Sequence, residues 1–350
     1  MRRYLILLCG LTALHAQPSP ETLLEEGHAK RARAIVEARF AANPNDPETL
    51  YLMSWIKQGL GDAVTAQQLA ERAVAAAPKV AKYHYRLAEA VGEQAQKAST
   101  LRQIGLGRKF KKEVDATLAL DPKHTGALNM LMQYYLQAPG IIGGDKSRAH
   151  EIPAQIAAVD PVKGAFAEVV LARHDKQQER VEGLYRKALE QRPGSYEART
   201  ALGSQMINAD VKNAPEAERL AREAVKIDAT RIAGHGLLAV SLAVQGKWED
   251  VEAALGRSEK DVPDNLGPYL RVANWCVTKG VELGRAERYL RKYLSQEPEI
   301  GWSNHAYAHW RLGLVFEKTG RQTEAVGEYR TAVQMDANSP ARAELKRLKA

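Results

Sequence analysis

The sequence predicts an all-α solenoid built from helix–turn–helix units. Three observations predict it. The chain echoes itself at a period of 34 residues, with Gly27 recurring as Gly61, Ala32 as Ala66 and Pro44 as Pro78. The same beat continues, stretched or compressed by a few residues, at Pro122, Pro161, Pro193, Pro263 and Pro298. Hydrophobic residues make up 45% of the chain and aromatics only 6%, with abundant Ala. Ala has high helix propensity and lets helices approach closely. An array of this period grows along one axis without a single central core. The 350 residues therefore need not divide into two domains. Units that each lack a core of their own favour an extended binding surface over a catalytic pocket.

Residues 1–16 read differently from the rest. Met1-Arg2-Arg3 is a short basic start, Tyr4 to Leu14 is mostly apolar, and His15-Ala16 leads into Gln17-Pro18-Ser19-Pro20. This is the layout of a secretory signal peptide cut after Ala16. The apolar run is too short to span a bilayer. Bulky Leu8 precedes Cys9, where a lipoprotein signal has a small residue. An exported protein, periplasmic or secreted, is expected. Cys276 is then the sole cysteine, placed on an apolar helical stripe with Val272 and Trp275. A buried, inert thiol follows. The net charge is +8, falling to +6 once Arg2 and Arg3 leave, a mild excess that favours anionic partners.

The unit after Pro47 shows the repeat most clearly. A first helix runs from about Glu48 to Gln58, with Leu50, Met53, Ser54 and Lys57 along one face. Gly59-Leu60-Gly61-Asp62 ends it. A second helix carries Ala66, Ala70 and Ala73 on one face, and Pro78 closes the unit. Leu87-Ala88, Leu202-Gly203, Leu238-Ala239, Val272-Ala273 and Leu312-Gly313 repeat one step of this pattern. Asp121-Pro122, Asp160-Pro161 and Arg192-Pro193 repeat its end. Gly246-Lys247-Trp248 and Gly320-Arg321-Gln322 repeat its middle turn. The chain thus resembles the tetratricopeptide repeat (TPR) over nearly all of residues 17–338, in about nine units. The resemblance implies a right-handed solenoid whose inner surface is lined by the first helix of each unit. Residues 339–350 read as a capping helix, with Ser339 and Pro340 at its start and Arg342, Lys346 and Lys349 on its wet side.

Three units depart from the regular length. Pro78 to Pro122 is ten residues over, with the excess expected between its two helices around residues 94–110. That stretch and its continuation carry Arg102, Arg108, Lys109, Lys111 and Lys112. Pro122 to Pro161 is five over, around residues 138–146. Pro298 to Ala337 is also five over, read as a long helix from about Trp302 to Thr319. The second excess is similar to a subgroup of exported bacterial TPR proteins with a Tyr-Leu-Gln-Ala-Pro-Gly-Ile-x-Gly-Gly-x-Lys stretch. Here Tyr135-Leu136-Gln137-Ala138-Pro139-Gly140-Ile141-Ile142-Gly143-Gly144-Asp145-Lys146 matches it, and the likeness extends through Asp160-Pro161-Val162-Lys163-Gly164. That subgroup implies no defined activity.

Candidate chemistry is sparse. The Gly-rich stretch before Ser147 offers backbone amides to an anion or, equally, a long turn with Ile141 or Ile142 plugged between helices. It lacks the spacing of a phosphate loop. His305 and His309 share a helix face but have no third ligand and no Glu directly after His305, so no metal is assigned. No nucleophile elbow, carboxylate pair or dinucleotide fingerprint is present, so neither an enzyme nor a cofactor is expected.

The reading is a non-enzymatic protein–protein interaction scaffold of the bacterial cell envelope, binding a partner segment along its concave surface. The repeat register nominates Tyr51, Tyr83, His84, Asn129, Tyr134, Arg199 and His235 for that surface. Arg108, Lys109, Lys111 and Lys112 offer an anionic partner, a membrane surface or lipid a second contact, or form a solvated helix face. Nucleic acid is not expected of an exported chain. The alternative is a small-ligand or lipid-binding component of an envelope transport or assembly system, with a pocket roofed by the two insertions near Phe110 and Ile141.

Overall fold

The computed structural model describes residues 18–301 and 303–349. The leader expected at residues 1–16, Gln17, Trp302 and Ala350 lie outside the described residues. Nine helix pairs follow one another: α1 (Pro20–Glu26) with α2 (Ala29–Ala42), α3 (Pro47–Gly59) with α4 (Ala63–Ala76), and α5 (Ala81–Lys97) with α6 (Thr100–Leu120). Then come α7 (Thr125–Gln137) with α8 (Lys146–Val159), α9 (Pro161–His174) with α10 (Gln178–Gln191), and α11 (Tyr196–Ala209) with α12 (Ala214–Ile227). The last three are α13 (Ile232–Val244) with α14 (Trp248–Asp261), α15 (Gly267–Lys279) with α16 (Leu283–Leu294), and α17 (His305–Lys318) with α18 (Gln322–Met335). A final helix, α19 (Ala341–Leu348), covers the end. The molecule is an all-α solenoid of TPR-like helix pairs.

Local chemistry sets the helix starts. Asp46, Asp160 and Ser195 each accept a hydrogen bond from a backbone N–H in the first turn, relieving donors that have no intrahelical partner. Small residues set the spacing between helices. Ala66, Ala70 and Ala73 of α4, and Ala217, Ala221 and Ala224 of α12, are buried. At Gly164 of α9 a Cβ would fall 2.6 Å from the Cα of Ala157 in α8, so only glycine permits that approach.

The irregular units differ from expectation in two of three cases. The excess around residues 94–110 is not a loop. It lengthens α5 to 17 and α6 to 21 residues, broken only at Ala98-Ser99. These residues are largely good helix formers, and the two helices pack on each other along the added turns. In the last unit, α17 has an ordinary 14 residues and starts at His305, because the Asn304 side chain caps it by accepting from Tyr307 N–H at 3.0 Å. Its extra residues lie in the connection before it, and the expected start at Trp302 falls outside the described residues.

The excess at residues 138–146 is a loop. It holds a 3₁₀ turn at Gly140–Ile142, with Gly143 at φ 96°. Ile142 turns inward, where its carbonyl accepts the Tyr134 hydroxyl proton, and Ile141 faces solvent. Asp145 accepts from the N–H groups of Ser147 and Arg148, so its carboxylate occupies the donors that an anion would need. Beyond Gly143, a Cβ at Gly144 would collide with the carbonyl oxygen of Ala138.

After seven pairs the solenoid returns against its own first unit. Arg31 of α2 makes a bidentate pair with Asp264 at 2.8 and 2.6 Å. Arg33 makes another with Glu297 at 3.0 and 3.1 Å. Lys30 donates its backbone N–H to Glu299 at 2.8 Å and its Nζ to the Glu297 carbonyl at 2.7 Å. Ile300 packs into the apolar cluster of α1–α4, beside Gly59. The turn edge of the first two pairs is thus pinned to the connections after α14 and α16.

These contacts can be tested one at a time. Gly144→Ala should destabilise the protein by about 1–3 kcal/mol. Gly140→Ala, with nothing within 4 Å of its Cβ position, should be close to neutral in a thermal melt. Combined Arg31→Glu and Arg33→Glu should raise amide hydrogen exchange across α1 and α2 about tenfold, since half-exposed pairs contribute up to ~1 kcal/mol each. Exchange in α9–α12 should not change.

Candidate binding surface

Consecutive first helices of the pairs touch one another: α3 with α5, α11 with α13, α13 with α15, and α15 with α17. The second helices do not pack together to that extent, so they form the wider, outer layer. The inner layer is where the candidate site is built.

Polar accounting separates the two layers. On the outside, many cations find carboxylates: Arg186 with Glu216 at 3.0 Å, Arg219 with Glu223 at 2.7 Å, Lys292 with Glu259 at 2.6 Å. On the inside, buried polar atoms lack partners. They are Arg86 Nε and Glu89 Oε2 on α5, Asn129 Oδ1 on α7, Asn274 Oδ1 on α15, and Trp310 Nε1 and Arg311 Nε on α17. Native proteins leave few such atoms unpaired, and each asks for a water, ion or ligand.

The strongest case is the α15–α17 stretch. Arg311 is only 8% exposed. Its guanidinium donates to the Asn274 carbonyl at 2.7 Å and to Thr278 Oγ1 at 2.8 Å, and among the described residues no carboxylate lies within 4.0 Å of it. It sits 5.3 Å from the centroid of the Trp310 ring. One turn before Asn274, Arg271 donates to Ser204 Oγ at 3.1 Å and likewise has no carboxylate partner among the described residues. Burial pushes both guanidinium groups below their ordinary range. Two desolvated cations without counter-ions are costly in an apolar interior.

The seven residues nominated for this surface behave otherwise. Tyr51, Tyr83, Tyr134 and His235 are buried, and their polar atoms are used within the chain. Tyr51 donates to Glu21 at 2.9 Å, Tyr83 to Glu48 at 3.0 Å, and Tyr134 to the Ile142 carbonyl. His235 Nε2 lies 2.9 Å from the Ala229 carbonyl oxygen. His84, nearly buried, bridges Glu113 at 2.6 Å and the Pro78 carbonyl at 3.0 Å. Arg199 pairs with Glu223 at 2.9 Å. These six are corrected to framework residues. The first helices pack so closely that an aromatic in this register meets the next helix, as Tyr51 meets Tyr83 at 5.5 Å between centroids. Of the seven, Asn129 alone keeps an unpartnered polar atom on the inner layer.

The basic insertion also divides. Lys109 pairs with Glu71, and Lys111 with Asp115 at 2.7 Å. Arg108 and Lys112 are exposed and have no carboxylate within 4.0 Å among the described residues. The roofed pocket expected at Phe110 and Ile141 is not formed. Phe110 fills the space between Gly92 and Tyr134, stacked on the latter at 6.0 Å, while Ile141 is 86% exposed. His305 and His309 have separate partners, the Gln296 carbonyl and Glu328. Among the described residues no cluster of three or more metal-ligating side chains occurs. Cys276 is fully buried, and burial pushes its thiol up to about 12.

Arg271, Asn274, Trp310 and Arg311 escape sequence reasoning. The available signal is the run Arg271, Asn274, Thr278 at helical spacing, a polar stripe opposite the buried Val272, Ala273 and Cys276.

No protein-family model matches the chain, and no curated protein matches it in sequence. Solved structures do match in shape. A monomeric mutant of human IFIT1 with m7Gppp-AAAA is 14% identical, covers 93% of this chain and 69% of that one, and has a TM-score of 0.50. The TPR protein TTC0263 of Thermus thermophilus is 21% identical over 54% of this chain and 95% of that one, with a TM-score of 0.46. PilW, a type IV pilus biogenesis factor, is 18% identical over 65% and 98%, with a TM-score of 0.45. The likeness is one of fold.

Replacing Arg311 with Met should leave the melting temperature unchanged or raise it, because the change removes a buried, uncompensated charge. A fall of more than a few degrees would make the guanidinium part of the frame instead.

Proposed function

We propose that this protein is a non-enzymatic interaction scaffold of the bacterial cell envelope, exported by residues 1–16, that holds an acidic segment of a partner protein against its inner surface. One observation carries the reading: among the described residues, the desolvated guanidinium groups of Arg271 and Arg311 have no carboxylate of their own chain. A partner carboxylate supplies the missing counter-charge, the unpartnered Trp310 Nε1–H donates a hydrogen bond beside it, and Asn274 Oδ1 accepts one from a partner N–H. Charge-assisted pairs of this kind are strong where water is excluded. The TPR-like fold supports a protein partner in general terms. The packed interior at Phe110 speaks against the small-ligand alternative.

The test is fluorescence anisotropy with a labelled glutamate-rich decapeptide. The wild-type protein should bind it. The Arg271→Met, Arg311→Met double variant should lose at least tenfold in affinity, about 1.4 kcal/mol or more. Equal binding by the two proteins would overturn the reading.

A further inference from the structure

The most exposed large apolar side chains among the described residues are Leu101, at 87%, and Ile141, at 86%. They are 40 positions apart in sequence, and the turn that carries one packs on the helix that carries the other. Leu101 lies in the first turn of α6. Ile141 lies in the 3₁₀ turn whose next residue, Ile142, rests against Gly107 of α6 and holds the Tyr134 hydroxyl. The turn therefore leans on α6 within two helical turns of Leu101. Both residues stand on the same edge of the solenoid, where α5 joins α6 and α7 joins α8. That edge protrudes, because α5 and α6 share a ten-residue excess. About five added residues per helix carry the α5–α6 end some 7 Å past a regular unit.

Charge at this edge is predominantly positive. Leu101, Gly105, Arg108 and Lys112 are all exposed and fall on one face of α6 by their spacing of 4, 3 and 4. Arg102, Arg108 and Lys112 on α6, and Lys146 and Arg148 at the start of α8, have no carboxylate within 4.0 Å among the described residues. Of the acidic groups nearby, Glu93 pairs with Lys97, Asp115 pairs with Lys111 and Asp145 caps α8, while Glu151 of α8 is exposed. Some surface cations of similar exposure are paired, as with Arg219 and Glu223.

We propose that this edge docks the protein on an anionic lipid bilayer, with Leu101 and Ile141 entering the interfacial region and the five cations lying at the level of the phosphates. Two exposed apolar tips on a protruding edge suit a bilayer, which yields around protruding side chains. A protein partner would call for a contiguous patch or a groove. Flanking Lys and Arg side chains reach headgroups while their stems lie along the interface. Each contributes attraction to an anionic surface that salt screens. The contact is peripheral, since no described helix is long and apolar enough to cross a membrane.

The experiment is vesicle flotation of the protein with phosphatidylcholine vesicles and with vesicles holding about 30% phosphatidylglycerol, at ~0.1 M salt. The wild-type protein should float with the anionic vesicles alone, and millimolar inorganic phosphate should not release it. Arg108→Gln with Lys112→Gln should lower the bound fraction at least tenfold, and Leu101→Ser with Ile141→Ser should do the same. All four side chains are exposed, so circular dichroism and the melting temperature should match the wild type. Binding of the glutamate-rich peptide at Arg271 and Arg311 should survive in both variants, which separates this proposal from the scaffold reading. The proposal falls if the wild-type protein ignores anionic vesicles, if neither pair of substitutions alters binding, or if free phosphate abolishes it. Loss of peptide binding in these variants would assign the edge to a protein partner instead.

Discussion

The closeness of the helices is the constraint on which the rest of this structure depends. No pair can bury its apolar face alone, so each must lie against the next. Alanines on the second helices and Gly164 on a first helix let it do so at short range. Tight stacking brings the first helices into mutual contact, which buries Tyr51, Tyr83 and Tyr134 and makes their hydroxyls hold the chain's own carboxylates and carbonyls. It also strips water from Arg271 and Arg311. The same geometry that stabilises the fold thereby prepares a charged inner surface, because a guanidinium kept from water interacts far more strongly with any anion that reaches it.

Tight winding has a second consequence at the ends. After seven pairs the array meets itself, and the first unit is held by two bidentate arginine–carboxylate pairs and by Ile300. Burial works to raise the Asp264 carboxyl, but the Arg31 guanidinium outweighs it and keeps the group below the usual carboxylate range. Hydrogen bonding to Arg33 does the same for Glu297. Both contributions are present at neutral pH and are lost only as pH falls through these depressed values, below about 4. The interface also carries strain of its own. Glu299 and His28 are buried there, each with one unpartnered polar atom. Burial drives Glu299 up and His28 down, shifting each toward its neutral form. The first unit is therefore attached by contacts that partly oppose one another, and the remaining end needs only the polar helix α19.

Charge is sorted by position. Many outer cations are paired within the chain, two inner ones, Arg271 and Arg311, have no carboxylate partner among the described residues, and those at the α5–α6 edge are solvated and unpaired. The physical meaning differs in each place. Paired outer charges contribute little beyond solubility. An inner unpaired charge costs stability and is retained only where something else completes it. An exposed unpaired cluster costs little and acts at a distance, through its field.

Much of this was legible in the sequence. The 34-residue echo, the Asp-Pro and Ser caps and the alanine spacing determine the helix pairs, their number and their order, because capping and close packing are local or nearest-neighbour matters. The loop at residues 138–146 was legible too, through glycines that only a turn or a close approach requires. The length of α6 and the start of α17 were not, since an excess over a period does not say whether it extends a helix or a connection; Ser99 and Asn304 decide that locally. The binding surface was legible only in outline. The register shows which helix faces inward, yet whether Tyr51 or Arg311 meets solvent depends on how tightly the array winds. So does the meeting of Arg31 with Asp264, 233 positions away. By itself the sequence determined the repeating unit. The tertiary structure decided which inward side chains are buried, which are left without partners, and where the solenoid meets itself, because small rotations between neighbouring pairs accumulate over the whole array.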